Sequence, residues 1–428
     1  MSETMSEGQS RSLLQILGPG ILFAGAAVGV SHLIQSTRAG GMYGLALIAF
    51  IVLANLAKYP AFRFGNQYAA ASGTNLIVAY RQQGPVAIGM FIVSTLLTMF
   101  AGCAAISITT AGLAKVTFGL EADSFTIVLI VWAAVAGTLY LGEYRALDAI
   151  VKVLLTFLTI STLITTIAVA PELEFAGLGD FWPSEFSLPT IIFIAALIGW
   201  MPAPLDTSVW QSLWSQAKAH TDNHQPTTRE AAIDFNVGFI GTAILAICFV
   251  IMGAGVMHKA GIEFESSAAG FAAQLIAIYR DTLGDTVATL VGASAMAVIF
   301  TTTLTAIDAW PRSMAGVMLI LRSPETDVGD TLSRIRHPLY WMWMAVLFAG
   351  AGLILGLFAH SFKLLLDIAT TVSFLTAPVF AILNHRAMFA DNIPADKRPS
   401  QALRWWSLLG IFALVDFTLA YIGIRLAA

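Results

Sequence analysis

Charge is what this chain has least of. Lys, Arg, Asp and Glu make up 11% of its 428 residues, whereas soluble domains carry about 25%. That is too little to clothe a water-facing globule, so a polytopic membrane protein is expected. The net charge of −4 leaves no basic excess for a nucleic-acid partner. Cysteine is nearly absent: Cys103 and Cys248 both sit in apolar runs. This excludes a disulfide framework and reads as two small core residues. The polar stretch Met1–Ser12 has no basic segment with a small-residue cleavage site, so no cleaved signal peptide is expected. No nucleophile–base pair, zinc motif or nucleotide loop appears; an enzyme is not expected, and neither is a cofactor.

Long apolar runs are what the chain has most of, with 57% hydrophobic residues. Runs of about 18–20 residues mark membrane-spanning helices. They fall near 13–37, 44–64, 86–113, 124–142, 147–170, 189–213, 233–257, 284–310, 337–359, 363–384 and 405–425, eleven in all. The eighth is expected to leave the bilayer near Pro311-Arg312. With the N-terminus inside, sixteen of the 22 Lys and Arg fall on the inner side and six outside, as the positive-inside bias requires. The C-terminus is then outside. The connections 214–232, 258–283 and 311–336 are too short to bury a core of their own. Residues 1–428 therefore read as one transmembrane domain. An inner or plasma membrane is expected, because outer membranes use barrels.

Two interruptions stand out. Gly18-Pro19-Gly20 and Gly29-Val30-Ser31-His32 lie in the first run, and Met201-Pro202-Ala203-Pro204-Leu205-Asp206 lies in the sixth. Gly and Pro free backbone groups that lipid cannot satisfy. Such breaks at matching places in two halves of a chain point to a transporter binding site at mid-membrane. The halves would be about 13–170 and 189–384, with 405–425 as an extra helix.

Ionisable and hydroxyl groups within spans are functional candidates. His32 and Asp206 sit on interrupted backbone and would either touch cargo or, for Asp206, cap the following half-helix. Asp308 would either serve the pathway or pair with Arg312 at i+4. Thr301, Thr302, Thr303 and Thr305 crowd the eighth run, and Thr370, Thr371, Ser373 and Thr376 the tenth. Asp367 suits an interfacial pair with Lys363. Trp200, beside the second break, would pack, wall a cavity or stack on an organic cation. His220 and His224 share a polar loop and read as solvated rather than metal-binding.

Gly18-Pro19-Gly20 followed by the four-residue break and Ala39-Gly40-Gly41-Met42-Tyr43-Gly44 resembles the first helix of the Nramp (divalent metal transporter) family. Arg63-Phe64-Gly65, Ser72-Gly73-Thr74-Asn75-Leu76, Met201-Pro202 and Leu375-Thr376-Ala377-Pro378 resemble further Nramp motifs. The resemblance implies an all-α, LeuT-like 5+5 inverted repeat of the amino acid–polyamine–organocation superfamily, with about eleven transmembrane helices. It implies Met201 as a thioether ligand. The chain departs from the family where the chemistry lies. The family's Asp-Pro-Gly-Asn reads Gly29-Val30-Ser31-His32, its Met-Pro-His ends in Ala203, and its helix-10 Gln falls on Thr370. Its acidic pair on the third helix falls on Met99 and Gly102, and the ninth run has no basic residue, so its usual proton route is missing.

These residues compose an expected site. His32, Met201 and Asp206 are the candidate metal ligands, with carbonyls near Ala26 and Ile198. Imidazole and thioether would make it soft. Gly29, Ser31, Trp200, Ala203, Thr302, Asp308 and Thr370 complete the expected substrate pathway. The cargo would be a small cation, foremost a divalent metal ion, moved across the lipid bilayer by alternating access. The alternative is a small organic solute, an amino acid or amine, with Gly25 and Gly29 opening room for it.

Overall fold

The computed structural model describes residues 12–173, 177–258, 261, 265, 267–322, 337–358 and 362–427. Arg11, Lys259, Arg334, Arg336 and Glu174, and the Lys363 side chain, lie outside the described residues. Every regular element among the described residues is helical. We number the principal helices α1 (Pro19–Ala27), α2 (Ser31–Tyr43), α3 (Ile48–Ser72), α4 (Leu76–Gln82), α5 (Pro85–Phe118), α6 (Ser124–Leu141) and α7 (Arg145–Val169). They continue as α8 (Leu188–Gly199), α9 (Thr207–Asp222), α10 (Thr228–His258), α11 (Gly284–Arg322), α12 (Pro338–Phe358), α13 (Phe362–Met388) and α14 (Gln401–Ala427).

Among the described residues, eight helices are long and apolar enough to cross a membrane, and α1 with α2, bent by 46°, makes a ninth. The chain is an integral membrane protein. The two remaining expected spans are present but polar or broken. In α3 the buried Asn55, Lys58, Asn66 and Gln67 dilute the apolar sequence. The sixth is the pair α8 and α9, separated by the Pro-rich turn.

The first run is interrupted twice. A short helix, Leu13–Ile16, ends before Gly18-Pro19-Gly20; Gly18 is the N-cap and Pro19 the first residue of α1, where its missing N–H costs nothing. The second interruption is at residues 28–30, after which the chain winds as a π-helix over Ser31–Ser36. Helix α11 runs through Pro311 to Arg322.

Helices α1 and α10 touch backbone to backbone. A Cβ on Gly238 would come within 2.0 Å of the Gly20 carbonyl oxygen, and one on Gly20 within 2.1 Å of the Asp234 carbonyl oxygen. Small residues permit such close packing where lipid provides no hydrophobic drive. Helix α11 packs on α5 and on the α6–α7 stretch. Between these groups lie the two broken pairs.

Candidate functional site

The first break frees carbonyls that other elements must satisfy. Gly29 N–H turns back to the Ala27 carbonyl at 2.9 Å. The Gly25 carbonyl instead accepts the Thr302 hydroxyl from α11 at 2.8 Å. Gly29 is therefore a contact glycine: a Cβ there would meet Thr302 Oγ1 at 2.1 Å. Gly25 is likewise pressed against Thr301 and Val151. Neither glycine opens room for a solute.

The second break is held by a residue the sequence reading assigned to a membrane edge. Lys58 on α3 is fully buried, and its Nζ donates to the carbonyls of Ile198 at 2.6 Å, Gly199 at 3.0 Å and Ala203 at 3.3 Å. The turn contains a cis peptide bond between Met201 and Pro202. Helix α9 restarts with Thr207 Oγ1 donating to Pro204 O and Ser208 Oγ to Leu205 O, both at 2.8 Å.

Between the breaks lies a cavity of about 40 Å³. Ala26, Ser31, Trp200, Asp206 and Thr302, all expected pathway or ligand residues, line it. So do Ser373, one of the candidate hydroxyls of the tenth run, and Thr98, Gly102, Trp210 and Trp310, which are not among the expected pathway residues. Asp206 is the one ionisable residue in this lining. It stands at the N-cap position of α9, yet its side chain makes no cap hydrogen bond. Its Oδ2 is 3.4 Å from the Thr98 hydroxyl. The carboxylate lines the cavity while staying within reach of the backbone N–H groups of Asp206 and Thr207 at the start of α9. It also attracts Lys58 without forming a direct ion pair. Aromatic rings form the remaining wall. Trp210 and Trp310 meet edge to face at 5.3 Å, and the Trp310 indole fills the space above Gly102. Trp200 Nε1 donates to Ser373 Oγ at 2.9 Å.

The other expected residues lie elsewhere. His32 is fully buried, but the π-helical winding turns its ring toward α10. Its Nε2 meets the Thr242 carbonyl at 3.0 Å, and its Nδ1 shares a hydrogen bond with Ser31 Oγ at 2.8 Å. Met201 is fully buried in a second apolar cluster with Ile198, Val250 and Phe374. Asp308 lies outside the lining, in an ion pair with Arg312 at 2.7 Å, and accepts from Trp214 Nε1 at 2.9 Å and Tyr340 OH at 3.1 Å. Thr370 points its hydroxyl at the Leu366 carbonyl, and Ser373, one turn on, takes the cavity. Ile198 and Ala203 contribute carbonyls to Lys58, not to the cavity. Asp367 lies 3.8 Å from Arg38. His224 contacts Glu230 at 3.3 Å.

Chemically the cavity offers one carboxylate, several hydroxyls and π-faces. Its volume equals about three water-sized probe spheres, enough for a small ion with a water or two. Among the described residues, no group of three or more His, Cys, Asp or Glu gathers to hold a metal.

Residues 20–422 match the family model described as natural resistance-associated macrophage protein-like, Nramp. The chain is 35% identical to an uncharacterized protein of Pasteurella multocida, over 99% of this chain and 95% of that one. It is similar to a variant of the Eremococcus coleocola manganese transporter, with a TM-score of 0.67, 16% identity, and coverage of 99% and 90% of the two chains. It is also similar to MhsT solved with L-phenylalanine, with a TM-score of 0.63, 14% identity, and coverage of 97% and 99%. The fold is LeuT-like.

Proposed function

The chain belongs to the Nramp family, and from that premise we propose that it carries a divalent metal ion across the membrane by alternating access, with Asp206 as the cargo-binding carboxylate. One observation supports this above the rest: buried Asp206 is the one ionisable residue lining the cavity between the two breaks. A carboxylate with hydroxyl oxygens from Thr98, Ser31 and Thr302 suits a hard, oxygen-seeking ion that keeps part of its hydration shell. An oxygen site is favoured over the soft site of His32 and Met201, since neither of those residues lines the cavity.

The cargo would move as α1, α2, α3, α8, α9 and α10 rock against α5, α6, α11 and α12. Coupling differs from the family's usual proton route. Met99 and Gly102 stand at the family's acidic positions, and α12 has no basic residue. We place the N-terminus inside and the C-terminus outside an inner or plasma membrane, from the positive-inside bias. Transport rather than enzymatic turnover fits the family.

A second reading rests on the walls. Trp200, Trp210 and Trp310 line the cavity, and indole faces attract organic ammonium groups. The test is uptake into proteoliposomes of manganese, magnesium and an amino acid pool, with and without a pH gradient. Manganese or magnesium uptake that falls at least ~10-fold in Asp206→Asn, a loss of over 1.4 kcal/mol, supports the first reading. Uptake of an amine or amino acid, with no metal flux, replaces it with the second. Metal flux untouched by Asp206→Asn defeats the site assignment.

A further inference from the structure

The Lys58 ammonium has three N–H donors and three carbonyl acceptors, from Ile198, Gly199 and Ala203. The acceptors come from both sides of the Met201–Pro202 turn. Two of them close the C-terminal end of α8, where freed carbonyls and the helix dipole concentrate negative charge. In broken-helix transporters, carbonyls at such an end are coordination sites for small monovalent cations. Here the seat is already taken by a cation tethered to the neighbouring helix.

An unpaired buried ammonium is costly, so neutral oxygens alone are a poor reason to keep one. Asp206 supplies an attraction that counters part of this cost, from beyond contact distance. The Lys58 stem leaves a helix whose neighbours at this depth, Ala54 and Ala61, are small and buried.

We propose that Lys58 is a built-in substitute for a monovalent cation, filling the carbonyl seat at the end of α8 and holding the interrupted sixth span in shape. The inference goes beyond the cargo assignment and does not depend on which cargo is carried. Lys58 is a positioning residue, because it touches the broken backbone and not the cavity. Two consequences separate this from a merely packed side chain. The wild-type protein has no vacant seat, so it is indifferent to sodium, potassium or ammonium. Truncating the side chain vacates the seat, and a small free cation then takes it.

The experiment follows thermal unfolding of the full chain in detergent, in sodium, potassium, ammonium, methylammonium or choline chloride at equal ionic strength. Lys58→Ala should unfold ~5 °C or more below wild type in choline and regain at least half of that in one of the small cations. Lys58→Met, which fills the volume with an uncharged thioether, should regain none. The wild type should unfold at one temperature in all five salts. A Lys58→Ala protein with the same deficit in every salt overturns the proposal. So does a wild type that sodium, potassium or ammonium stabilises over choline, an arm that stands even where the variants fail to fold. All arms read unfolding alone, so absence of metal uptake would leave this inference intact, and its failure would leave the Asp206 site intact.

Discussion

Asp234 Oδ2 accepts the backbone N–H of Gly20 at 2.7 Å. The other carboxylate oxygen accepts Gly18 N–H at 2.8 Å, and Asn66 Nδ2 donates to Oδ2 at 3.0 Å. One carboxylate from α10 thus satisfies two of the orphan donors that begin α1. Its charge also complements the dipole end of that helix. The first half-helix is latched by a side chain more than two hundred residues away.

Breaking that latch should be costly. Asp234→Asn keeps one acceptor and loses the charge, and should destabilise the protein by about 1–3 kcal/mol. Asp234→Ala should cost more, because both glycine N–H groups lose their partner. Thermal or chemical denaturation measures this. Equal stability of wild type and both variants would show that α1 finds its caps elsewhere.

Met201→Leu should leave the apparent affinity for transported metal within about twofold and cost less than ~1.5 kcal/mol of stability. The thioether is buried among apolar side chains, so a similar volume replaces it. His32→Gln should likewise spare affinity, since the imidazole serves the Thr242 carbonyl. Concentration dependence of manganese uptake is the measurement. A tenfold weakening in Met201→Leu would return the thioether to the ligand set.

Gly29→Ala should destabilise the protein by about 1–3 kcal/mol through overpacking, because the new methyl group collides with Thr302. The collision would also push the Thr302 hydroxyl off the Gly25 carbonyl. Adding Thr302→Ala should recover part of the loss, giving a coupling of about 0.5–3 kcal/mol in a double-mutant cycle. Strict additivity of the two changes would place the residues apart.

The sequence made the two breaks legible because Gly and Pro are conspicuous in long apolar runs. Asp206 was legible for the same reason, as a carboxylate on broken backbone. Lys58 was not. It was counted among the inner basic residues, and its partners are about 140 positions away. Basic side chains near span ends ordinarily reach for water, and no local pattern marks one that reaches inward. The side toward which His32 points was not legible, because a π-helical turn shifts the register by which a residue faces its neighbours. Thr370 and Ser373 differ by one turn of α13, and hydroxyls alone do not say which turn meets the cavity. Thr98 gave no signal, and Ser373 did not stand out among the four hydroxyls of its run, because membrane-helix hydroxyls commonly bond their own preceding carbonyls, as Thr98 and Ser373 do.

The three indoles of the cavity wall have an optical consequence. Tryptophan emission responds to nearby charge and is quenched by paramagnetic ions. The protein therefore carries, in Trp200, Trp210 and Trp310, its own light-emitting gauge of what enters beside Asp206.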